Sequence, residues 1–286
     1  MQAINQMIKA VARNRGVRQD IVEKDYAISY LLAAINTVDD LGSNLVLKGG
    51  TALKKLYFPN YRFSEDLDYS TRIPGPIQQI DPLMESAVRS MSQYLNQLGP
   101  FQIVLEPLVL KLAHPGGQKA YTVRVQFPEQ RQPLCRLKVE ITVDEPILLP
   151  TQNCLILHGF TETFQVKIPA YSLEEITVEK LRTLLQSKVR LQERGWGASR
   201  VCRDYYDLWN LLQHPGIKSP ALIPLLEQKC AVRNVSFQSA NDFVSDDLFA
   251  VAKSEWQQQL LPFVPDAPLV TKLLTEVKTF ILSIWE

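Results

Sequence analysis

An α+β fold, a strand-rich first part followed by an all-helical C-terminal domain, is predicted by two features of the sequence. Stretches rich in Val, Ile, Thr and Phe, partly alternating with period two, recur up to residue 170. After Tyr171 the pattern changes to helical periodicity for the rest of the chain. The boundary expected from this change divides the chain into 1–170 and 171–286.

Residues 1–14 read as a short helix. Asp20 followed by Glu23 resembles a capping box that opens a helix ending near Ile35. NLVLK (44–48) is a short strand, broken by Gly49-Gly50, and TALKKLY then turns helical. Arg62 to Ser70 reads as the next strand and Asp81 to Leu98 as a helix. FQIVLEPLVLKL, AYTVRVQF, LCRLKVEITV and FQVKIPA (164–170) supply further strands. The second part holds SLEEITVEKLRTLLQSKVRLQ, RVCRDYYDLWNLLQ and helical segments near 219–230, 240–259 and 268–284.

The bulk numbers exclude several classes. The chain has 286 residues, is 46% hydrophobic and carries a formal charge of +1, so any anion-binding surface must be local. Its four cysteines, Cys135, Cys154, Cys202 and Cys230, are widely spaced and form no CxxC pair, which argues against zinc and for free thiols in a reducing cytoplasm. The N-terminus lacks a signal-peptide apolar core. Lys9, Arg13, Arg15 and Arg18 suit a basic first helix better than a transit peptide. No apolar run reaches the roughly 18 residues of a membrane span. A cytoplasmic protein is expected.

R-F-S-E-D-L-D-Y-S is the most informative segment. On a strand, Ser64, Asp66, Asp68 and Ser70 share one face, and Phe63, Leu67 and Tyr69 the other. Two aspartates at this spacing ionise together cheaply only with a cation between them. An all-oxygen set of this kind suits Mg²⁺ that shares its coordination with waters and phosphates. Fifteen residues before Asp66, Gly-Gly-Thr opens a helix whose backbone N–H groups and Thr51 hydroxyl are placed to meet a phosphate. Phosphoryl transfer to a hydroxyl with two metal ions needs a third carboxylate. Glu140, on the polar face of L-K-V-E-I-T-V-D, is the candidate, and Asp144 on the same face is the alternative.

A second cluster lies on the helices. Lys180 sits along an apolar stripe with Ile176 and Leu184, and Asp204 beside Leu208 and Leu211. An inward lysine needs an anion. That anion is either Asp204 or a phosphate of an NTP. Residues 180–203 contain seven Lys and Arg against Glu193 alone, a local +6. Such a stretch is a candidate surface for triphosphate or RNA, with Arg190, Arg194 and Arg200 as backbone contacts and Trp196 as a stacking or core-capping residue.

K-G-G-T-A-L…R-F-S-E-D-L-D, then E-K-L-R-T-L-L and R-D-Y-Y-D-L-W, resembles the AbiEii/AbiGii family of nucleotidyltransferase-like toxins. V-E-K-D-Y-A-I-S-Y-L-L is similar to that family's N-terminal segment, and the likeness runs from about Val22 to Leu212. The resemblance implies a DNA polymerase β-like core with a mixed β-sheet, and a helical C-terminal domain that completes the nucleotide cleft. It also implies a toxin of a toxin–antitoxin pair, phage defence among its settings, with an antitoxin encoded nearby. Some family members add nucleotides to tRNA 3′ ends, and others bind GTP. Carried over by motif, Gly49, Gly50, Thr51, Ser64, Lys180 and Arg203 would bind the nucleotide. Asp66, Asp68 and Glu140 would hold two Mg²⁺ ions, with Lys180 and Asp204 completing the catalytic set. Glu140 has no distinct motif around it. The rivals are a small-molecule nucleotidyltransferase of the antibiotic-modifying kind and a non-catalytic NTP-binding protein; the intact D-x-D argues against the second.

Overall fold

The computed structural model describes residues 2–73, 79–109, 117–162, 165–217 and 219–286. The chain forms two compact units, Met1–Tyr171 and Ser172–Glu286. Among the described residues no helix is long and apolar enough to cross a membrane. The four cysteines are free thiols, three of them buried.

In the first unit α1 (Gln2–Arg15), α2 (Gln19–Asn36) and α3 (Asp39–Asn44) precede β1 (Leu45–Lys48). One α turn, α4 (Gly49–Ala52), widens into a π turn over Leu53–Tyr57 before β2 (Asp66–Thr71). α5 (Ile80–Asn96) buries a single face, Met84, Ala87, Val88, Met91 and Leu95, as a helix flanking a core does. Then come β3 (Gln102–Pro107), β4 (Gln118–Gln126), β5 (Cys135–Thr142), β6 (Gln152–Leu155) and β7 (Lys167–Ala170). Residues 110–112 of the expected FQIVLEPLVLKL strand and Phe164 of FQVKIPA lie outside the described residues.

The described strands form one mixed sheet in the order β3-β4-β5-β2-β1-β7-β6. β2 is antiparallel to β1 and parallel to β5, so it sits at the centre with partners on both sides. Central placement explains its buried alternate residues Leu67 and Tyr69.

α2 is buried almost all round, and its E-K-D-Y run explains how. Glu23 accepts from Gln19 and Gln130. Lys24 reaches Glu65 at 2.5 Å, and Asp25 pairs with buried Lys55 at 2.7 Å. Tyr26 donates to Glu162. Four consecutive side chains thus tie one helix to four other segments. The expected capping box does not form: the helix begins at Gln19 after Arg18, without a side-chain cap. Arg18 takes the Asp20 carboxylate at 2.8 Å, and Glu23 is already engaged.

The second unit is helical: α6 (Leu173–Arg194), α7 (Val201–Leu212), α8 (Ser219–Val232), α9 (Asp246–Glu255) and α10 (Val270–Leu282). Ser172 caps α6 by accepting from the Glu175 N–H at 3.2 Å, and Gly195 ends it at φ +72°, the left-handed conformation glycine adopts freely. The helix expected over 240–259 is broken. Ser239 and Asp242 close a capping box around a 3₁₀ turn at Ala240–Phe243, and α9 starts only at Asp246.

Candidate active site on the central strand

Asp66 and Asp68 lie two apart on β2, half-buried, on the face opposite buried Leu67 and Tyr69. The strand starts at Asp66, not at Arg62 as the alternation suggested. Arg62 and Phe63 are buried before the strand begins, with Phe63 held between the cations of Arg15 and Lys54 at 5.4 and 5.1 Å from its ring centre. Ser64 is therefore a loop residue. Thr51 brings it to the strand: the Thr51 hydroxyl donates to the Asp66 carbonyl and lies 2.9 Å from Ser64 Oγ. Thr51 is 1% exposed, and its side chain holds the start of β2.

The glycines before Thr51 are required by their neighbours. Gly49 has φ +71°, and a Cβ there would stand 3.0 Å from Asp68 Oδ2. A Cβ on Gly50 would meet the Arg62 guanidinium at 2.5 Å and Ser64 Oγ at 3.2 Å. The Gly-Gly step lets the backbone lie directly against the carboxylate strand.

Register brings a further carboxylate onto the same face. Across the parallel β2–β5 pair, Asp68 is opposite Glu140 and Asp66 is opposite Lys138. On the other side Lys48 is opposite Asp68. Partners in register share a face, so Lys48, Asp68 and Glu140 form one row across three strands, and Asp66 and Lys138 form the next. Asp144 is exposed and lies beyond the end of β5. The Glu140 carboxylate accepts from Gln118 at 2.8 Å and pairs with Lys138 at 2.7 Å. Alternation puts Lys138 on the polar face with Glu140 but did not mark it as a site residue, and Gln118 was not singled out. Ser70, the last residue of the expected face, is buried and accepts from the Tyr171 hydroxyl at 2.8 Å.

Among the described residues, no group of three His, Cys, Asp or Glu side chains is arranged to hold a metal ion. Glu140 is turned onto Lys138 and Gln118. The available donors are all carboxylate oxygens, and they fit a hard cation such as Mg²⁺, which takes only one or two carboxylates and completes its shell with water and phosphate.

In the helical unit Lys180 Nζ lies 2.7 Å from Asp204 and 2.8 Å from Asp207, and Asp207 is completely buried. Asp207 was missed, although it follows Asp204 by three residues and so shares its helix face. Arg203 is buried, donates to the Gln259 carbonyl at 2.6 Å and stacks 4.1 Å above Phe263. The +6 stretch is not a continuous basic patch. Lys188 pairs with Asp242 at 2.7 Å, Arg182 is buried beside Glu179, and Arg190 holds the Gly197 carbonyl at 2.9 Å. Of its seven cations Arg194 and Arg200 are exposed, and Trp196 between them is 68% exposed.

No curated protein matches the chain significantly. Residues 30–280 match the family model described as "Nucleotidyl transferase AbiEii toxin, Type IV TA system".

Proposed function

We propose, because the chain belongs to the AbiEii family of nucleotidyltransferase toxins of type IV toxin–antitoxin systems, that it transfers NMP from an NTP to an RNA 3′-hydroxyl, the tRNA acceptor end being the target. Membership brings with it a transferase activity, an NTP substrate and an antitoxin partner. The observation that carries the finer reading is the register of Asp68 with Glu140 beside Asp66: three carboxylates at adjacent positions of one sheet face.

Asp66 and Asp68 would hold Mg²⁺, with Glu140 as the third carboxylate. The ions, when bound, neutralise the transferring phosphate and make the attacking oxygen more acidic. Glu140 would accept the proton of the RNA hydroxyl. Gly49 and Gly50 would offer the triphosphate backbone N–H groups, and Ser64 a hydroxyl. Thr51 acts one step back, by fixing the Asp66 backbone. Within the helical unit, Asp204 and Asp207 together balance the Lys180 charge. Arg194, Arg200 and Trp196 offer RNA an exposed surface of two cations and one ring, whereas Arg190 shapes the loop that carries them.

A mixed-acceptor assay tests this reading. Total tRNA and aminoglycosides are incubated together with each NTP labelled at the α-phosphate. Label is expected in RNA alone. Label on the drug would replace this reading with the small-molecule one. NTP binding without transfer to any acceptor would leave a binding protein of the same fold.

A further inference from the structure

The sheet face that carries the three carboxylates also carries two lysines, Lys48 opposite Asp68 and Lys138 beside Glu140. Lys138 is opposite Asp66 and two residues before Glu140, and its amine lies 2.7 Å from Glu140 Oε2. Gln118 takes the other Glu140 oxygen at 2.8 Å. Neighbouring strands are about 4.8 Å apart, and next-but-one residues about 6.6 Å. On these spacings Lys138 has Asp66 as its cross-strand neighbour and Asp68 on the diagonal. Residues chosen only to bind a free cation would not include a fixed positive charge. A doubly charged ion about 6 Å from a unit charge is repelled, even at the dielectric constant of water, enough to weaken binding on the order of tenfold.

We infer that Lys138 is a tethered counter-cation that makes metal loading depend on the nucleotide. This rests on the proposed reading of Asp66 and Asp68 as metal ligands. Without nucleotide, Lys138 neutralises Glu140 and keeps free divalent ions weakly bound. A metal–nucleotide complex brings its own negative charge, which offers the amine a second anionic partner and frees Glu140 for the ions. Lys138 is thus a positioning residue, and its effect on free-metal affinity has a sign that a merely structural residue would not give: removing it tightens binding.

The test measures Mn²⁺ binding by electron paramagnetic resonance on the full chain, with and without a non-hydrolysable NTP analogue. Lys138→Met and Lys138→Gln should each bind free Mn²⁺ on the order of tenfold tighter than wild type, and Lys138→Arg within about twofold, because it keeps the charge. With the analogue present the advantage of Lys138→Met should disappear. Unchanged or weaker free Mn²⁺ binding in both neutral variants would overturn the inference. Asp66→Asn in the same series separates the two claims. If it leaves Mn²⁺ binding intact, the metal is held elsewhere and the underlying reading fails. If it abolishes binding while the neutral Lys138 variants gain nothing, the inference alone fails.

Discussion

Glu140 stands opposite Asp68 in the parallel β2–β5 register, one strand away and on the same face of the sheet. Asp144 lies past the strand end and is exposed. Glu140→Gln, like Asp66→Asn or Asp68→Asn, should lower nucleotide transfer at least about 10³-fold, on the order of 4 kcal/mol of barrier, without lowering the melting temperature. Asp144→Asn should stay close to wild type. The measurement is single-turnover transfer on variants shown folded by circular dichroism. Equal losses in Glu140→Gln and Asp144→Asn would remove the distinction that the register draws.

Gly49 and Gly159 have nearly the same φ, +71° and +76°. A Cβ at Gly49 would stand 3.0 Å from the Asp68 carboxylate, whereas one at Gly159 would meet nothing within 4 Å. Alanine at either position should cost about 1–2 kcal/mol of stability from the left-handed conformation. Only Gly49→Ala should also lower transfer, by at least about tenfold, because it displaces Asp68. Comparing melts with activity in the two variants isolates the contact, and matching activities would show that the Gly49 position is a plain turn.

Lys180 is held between Asp204 and fully buried Asp207. Lys180→Met leaves buried carboxylates short of their cation, which should destabilise the protein by roughly 3–5 kcal/mol. Thermal melts with and without Mg²⁺-NTP read both the structural and the binding consequence. A mutant that melts with wild type would show that the buried pairing contributes no stability.

Acid should weaken the first unit through a buried histidine. His158 is 5% exposed; burial, with the nearby Lys55 charge, pushes its pKa from 6.5 down to about 4. Between those values the unfolded chain binds the proton and the folded chain does not, so stability falls as pH drops through the window. By pH 5 the loss should be about 2 kcal/mol. Glu162, whose carboxyl is held below its usual 4.5 by the Tyr26 hydroxyl against the opposing effect of burial, contributes only at lower pH. Urea unfolding at pH 7 and pH 5 should show this slope in wild type and a flatter one in His158→Gln. Identical slopes would place the proton elsewhere.

What could be read from the sequence was local. Alternation put Asp66 and Asp68 on one strand face opposite Leu67 and Tyr69, and the structure keeps that arrangement. Long-range partners were not legible. Lys138 and Glu140 meet Asp66 and Asp68 only through the pairing of strands 72 positions apart. The local +6 over 180–203 is offset by Asp204, Asp207, Glu179 and Asp242, three of which lie outside the counted window on the C-terminal side. Nothing local showed that the Thr51 hydroxyl meets the Asp66 carbonyl. Ser64 fell off the strand because Phe63 is gripped by two cations from other segments.

The central claim, nucleotide transfer to the tRNA 3′ end through the β2 carboxylates, is tested most directly by sequencing tRNA 3′ ends from bacterial cells arrested by expression of this chain. The account predicts tRNAs extended beyond the terminal adenosine in cells expressing wild type, and unextended ends with normal growth in cells expressing Asp66→Ala. An extended end buries the 3′ adenosine within the chain, so no amino acid can be attached and translation stops. Arrest that depends on Asp66 while every tRNA keeps its unextended CCA end would contradict it.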